Sequence, residues 1–80
     1  MNQAHVSDKA PLRIHIGRYV GVFEKTDTGY SAYVPALPGL AVAGATLEDT
    51  IGEMRSGIPA HLEAIARDKN ERPWLYPEQR

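Results

Sequence analysis

The chain has no cysteine among its 80 residues, so neither a disulfide framework nor a thiolate zinc site is open to it. It also lacks an apolar run long enough to span a bilayer, and its first ten residues carry neither the basic start nor the hydrophobic stretch of a secretory signal. These absences predict a cytoplasmic protein with no membrane segment. An excess of one charge is missing as well: nine basic and ten acidic residues give a formal net charge of −1, and the basic ones are spread along the chain. Nucleic-acid affinity rests on concentrated Lys and Arg that neutralise phosphates, so direct nucleic-acid binding by the monomer is not expected.

Catalytic signatures are equally scarce. His5, His15 and His61 have no metal-ligand spacing, and His61 falls about 40° off the apolar stripe of the helix described below. Ser7, Ser31 and Ser56 lack a nucleophile-elbow context, and no glycine pair, Gly17 and Gly21 included, has the spacing of a phosphate loop. A two-metal nuclease centre needs carboxylates that converge. Here Glu24 and Asp27 fall at a hairpin and Asp49 and Glu53 on a helix, while positions 18–23 and 30–34 hold no acidic residue. The expectation is a protein that is not an enzyme and uses no metal or cofactor.

A hydrophobic content of 42% with 24% charged residues suits a globular domain. A chain this short buries only about 60–65% of the surface its unfolded form exposes, which makes self-association an expected supplement to the core. Residues 1–11 read as a polar tail, 12–77 as the domain and 78–80 as a second tail.

Leu12, Ile14 and Ile16 alternate with Arg13 and His15, the period of a strand with one buried face. Gly17 interrupts as a bulge or bend, and Tyr19 to Phe23 continues apolar on both faces, as in a sheet covered on more than one side. Asp27 and Gly29 mark a hairpin into a second strand, Tyr30 to Val34, which must end near Pro35 because proline has no ladder N–H. Pro38-Gly39 has type II turn chemistry and leads into a short third strand, Leu40 to Ala43. Thr46 is an N-cap, followed by Glu48 and Asp49 at the positive end of the helix dipole. Leu47, Ile51, Met54, Ile58, Leu62 and Ile65 then form one stripe of a 3.6-residue helix expected to cover the sheet. Pro59 predicts a kink or a division into two segments, with fraying near Asp68 to Asn70. Arg72 to Pro77 reads as a short edge strand or an extended segment.

Taken jointly, Gly29-Tyr30-x-Ala32-Tyr33-Val34-Pro35-x-Leu37-Pro38-Gly39 followed by Gly44-x-Thr46-Leu47-Glu48 resembles the HicB family, the antitoxin half of HicA–HicB toxin–antitoxin systems. The likeness covers roughly Ile16 to Tyr76. It implies an α+β fold like a truncated ribonuclease H: a three-stranded antiparallel sheet, one long kinked helix and a short C-terminal strand. It further implies self-association into dimers or tetramers and occlusion of a small HicA-type mRNA interferase. Leu40 stands where the family usually has cysteine, and with the sequence ending at Arg80 the expectation is a short form without the DNA-binding module of many antitoxins. The surface expected to meet a partner is Tyr30, Tyr33, Pro35, Leu37, Pro38 and Gly39, together with an exposed strand edge. Alternatives are a metal-dependent ribonuclease H-like nuclease and a stand-alone oligomeric module with an unknown ligand.

Overall fold

The computed structural model describes residues 10–76. Apart from Ala10 and Pro11, the expected tails lie outside the described residues. The fold is α+β, a four-stranded antiparallel sheet and one long helix.

The alternation of Leu12, Ile14 and Ile16 produces β1 (Leu12–Ile16), with Arg13 and His15 on the opposite face. The chain then reverses instead of continuing. Gly17 has φ +63 and Ile16 pairs directly with Tyr19, so Gly17-Arg18 is a two-residue hairpin turn into β2 (Tyr19–Lys25). Glycine at the first central position, with no positive φ at Arg18, is the pattern of a type II′ turn. The expected three-stranded sheet is therefore four-stranded, because Gly17 makes a chain reversal and not the expected bulge or bend.

At the other end of β2, the Thr26 N–H donates to the Gly29 carbonyl at 2.8 Å and closes the hairpin to β3 (Tyr30–Tyr33). Strand β4 (Ala41–Gly44) completes a meander in the order β1-β2-β3-β4. Across this register Ile14, Gly21, Phe23, Ala32 and Val42 share the face that meets the helix. Arg13, His15, Val20, Val22, Tyr33, Ala41 and Ala43 share the other. Among the described elements none packs on that second face, contrary to the two-sided cover expected from Tyr19 to Phe23. Val22 is nevertheless buried there, with its cross-strand partners Arg13 and Tyr33 on either side.

Helix α1 (Leu47–Glu71) starts as the sequence predicts: the Asp49 N–H donates to Thr46 Oγ1 at 3.0 Å. Thr50, fully buried, satisfies its hydroxyl on the Thr46 carbonyl at 2.7 Å. The helix remains one element through Pro59 and runs on to Glu71, past the expected fraying point. Its stripe is buried in part. Met54 and Ile58 are in the core, Leu47 and Ile51 pack beside it, Ile65 is half-buried, and Leu62 is 38% exposed. Length explains this. Twenty-five residues at about 1.5 Å each reach roughly 37 Å, whereas strands of four to seven residues at about 3.3 Å each cover roughly 13–23 Å. The second half of the helix projects beyond the sheet.

The expected C-terminal strand is instead a single 3₁₀ turn, Pro73–Leu75. Proline at its first position suits helical φ, and the overhanging helix has carried the chain away from the sheet edges. Arg72 Nε donates to Asp68 Oδ1 at 2.7 Å and the Tyr76 hydroxyl donates to Asp68 Oδ2, folding the turn back onto the helix end.

Candidate binding surface

The connection from β3 to β4 is built from two consecutive turns. The Leu37 N–H donates to the Val34 carbonyl at 2.9 Å, and the Leu40 N–H to the Leu37 carbonyl at 3.2 Å. Val34, Leu37 and Leu40, the residues at the joints, are all buried in the core cluster. Pro35, Ala36, Pro38 and Gly39, the residues between, are exposed. Proline sets the φ of the second turn and Gly39 takes the φ of +92 that follows, the requirement of type II geometry. The helix braces the loop from the side. His61 Nε2–H donates to the Pro38 carbonyl at 3.1 Å, and Gly57 brings α1 within van der Waals reach of Leu40 and Val42. An apolar-anchored, doubly hydrogen-bonded loop of this kind presents its exposed atoms with little conformational freedom.

The six residues expected at a partner surface divide into three groups. Pro35, Pro38 and Gly39 stand together on the outside of the double turn. Tyr33, 43% exposed, lies on the sheet face away from the helix, immediately before that turn. Leu37 and Tyr30 are placed otherwise. Leu37 is 7% exposed and belongs to the core, so its side chain holds the turn and does not face a partner. Tyr30 is half-buried on the helix side of the sheet, its ring under Lys25 Nζ at 5.4 Å from the centroid. The spacing of three that joins Val34, Leu37 and Leu40 was the signal that separates anchors from exposed positions.

The chain matches no protein-family model, no curated protein and no solved structure. Its chemistry is therefore read from its own surface. Among the described residues no three His, Asp or Glu side chains are grouped to hold a metal ion, and no helix is long and apolar enough to cross a membrane. Among the described residues the perturbed titrating cluster is at the helix end. Hydrogen bonds from Arg72 and then Tyr76 hold the Asp68 carboxyl below its ordinary value, and the same bond to Asp68 holds the Tyr76 phenol above its own. These groups are solvent-accessible and account for each other, so the cluster ties down the C-terminal turn. Trp74, 72% exposed, and Leu75, 50% exposed, lie on that turn and were not among the residues expected to bind.

Proposed function

We propose that the protein is a HicB-like, antitoxin-type binding module that self-associates and neutralises a small HicA-type mRNA interferase by occlusion. The contact surface is the exposed side of the double turn, Pro35, Pro38 and Gly39, extended by Tyr33 on the adjoining sheet face. The observation that carries this reading is the construction of the turn. Two prolines and a glycine are held outward by three buried joints and a histidine bond from the helix, so the ordering cost of binding falls largely on folding and not on association. The residue order from Gly29 to Glu48 that resembles the family is the segment that builds this surface and caps the helix beneath it.

Co-expression with the product of the adjacent reading frame tests the proposal. The expected result is a stable complex and relief of growth arrest. Tyr33→Ala weakens the complex by roughly 5–30-fold, the range for loss of an aromatic anchor worth about 1–2 kcal/mol. Absence of both a complex and rescue overturns the reading.

A further inference from the structure

A second surface feature lies on the opposite flank of the helix. Ile16, Arg18, Tyr19, Arg55, Ile58 and Pro59 line a groove of about 350 Å³ between the β1–β2 turn and α1. Its floor is apolar, Ile16 and Ile58 being 6% and 7% exposed, and both of its cations are arginines with exposed side chains. Among the described residues the ion pair is Arg72 with Asp68, so neither Arg18 nor Arg55 is engaged by a carboxylate of the fold. Pro59 completes the lining; it has no N–H to give to the Arg55 carbonyl four residues back.

We propose that this groove binds a small organic acid with an apolar body. The carboxylate lies between the Arg18 and Arg55 guanidinium groups, whose planar forks match it, and the apolar portion covers Ile16 and Ile58. Two arginines without a carboxylate partner among the described residues, beside an aliphatic floor, favour an anion of mixed character over a neutral apolar ligand or an inorganic ion. This site is separate from the proposed toxin-binding surface, which the other flank of the helix braces, and the two proposals stand or fall separately.

Amide NMR spectra of the full chain, titrated with 3-phenylpropionate and with its neutral amide, test the site. The acid is expected to give saturable shifts centred on Gly17, Arg18 and Ile58, with a Kd below about 1 mM. The amide binds roughly tenfold more weakly, because it forfeits the charge-assisted bonds. Arg18→Gln and Arg55→Gln each weaken the acid by roughly fivefold or more and reduce its advantage over the amide, while Arg67→Gln leaves both unchanged. All three positions are exposed, and the spectra report directly that the fold is kept. Equal affinity for acid and amide, indifference to both groove substitutions, shifts confined to another surface, or no shifts each overturn the proposal. So do shifts at Gly17 and Ile58 that follow protein concentration without acid, which would make a second copy the occupant.

Discussion

Replacing Leu37 by alanine separates what holds the double turn from what it presents. Leu37 is 7% exposed, donates its N–H to Val34 and accepts from Leu40, so its side chain sits at the joint common to both turns. Truncating a buried leucine costs about 2–5 kcal/mol, and a site at the end of the sheet can partly collapse, which favours about 2–3 kcal/mol. Total stability for a chain this size is about 4–12 kcal/mol, so the variant stays folded with its melting temperature lowered by roughly 10–20 °C. Pro38→Ala is the control. It loses the preset φ, about 0.4–1 kcal/mol, but keeps the carbonyl that accepts from His61. Urea unfolding followed by far-ultraviolet circular dichroism measures both. Leu37→Ala within about 0.5 kcal/mol of the parent would refute the anchoring argument. With the proposed toxin partner, the order is expected to reverse: Pro38→Ala loses affinity while remaining stable.

Three further outcomes follow from other parts of the chain. Thr46→Ala removes the oxygen that accepts the Asp49 N–H and should cost about 1 kcal/mol in the same urea experiment. Pro59→Ala restores the missing bond to the Arg55 carbonyl and is expected to stabilise by about 1–3 kcal/mol; no gain would mean that the helix has bent to suit the proline. The Asp68 cluster gives a pH dependence with two limbs. The depressed Asp68 value contributes stability above the ordinary 3.8 that is lost as pH falls through the folded value, and the raised Tyr76 value contributes below 10.0 and is lost as pH rises through its folded value. Phenolate absorbance should show Tyr76 titrating above the ordinary 10.0, and Asp68→Asn should bring it back toward that value.

Elements whose signal is local were legible. The Thr46 cap, the strands with one alternating face, the Asp27–Gly29 hairpin and the Pro38-Gly39 turn each follow from a few adjacent residues, and each is where those residues put it. Gly17 was ambiguous because a glycine between two apolar runs serves a bulge and a two-residue turn alike; only the pairing of Ile16 with Tyr19 distinguishes them. Leu62 and Ile65 keep the helical phase of Met54 and Ile58, but periodicity reports a direction and not whether a sheet extends beneath it. The buried role of Leu37 was obscured by its neighbours, since Pro35, Pro38 and Gly39 all mark an exposed turn. The C-terminal segment read as extended because Pro73 and Pro77 bracket it, whereas Asp68, eight residues before Tyr76, decides its shape.

The meander places the β1–β2 turn and the β3–β4 connection at the same end of the sheet, and the helix leaves the sheet over that end between Arg55 and His61. One flank of this short helical stretch therefore faces the arginine groove, through Arg55 and Pro59, and the other braces the double turn, through Gly57 and His61. Ile58 and Met54 between them fix the stretch to the core. A movement of this part of the helix relative to the sheet would alter both surfaces together, and Pro59, which removes one rung of the helix at that point, makes it the place where such movement costs least. The proline that looks like a defect in a long amphipathic helix is thus at the one position where the two candidate surfaces share a support.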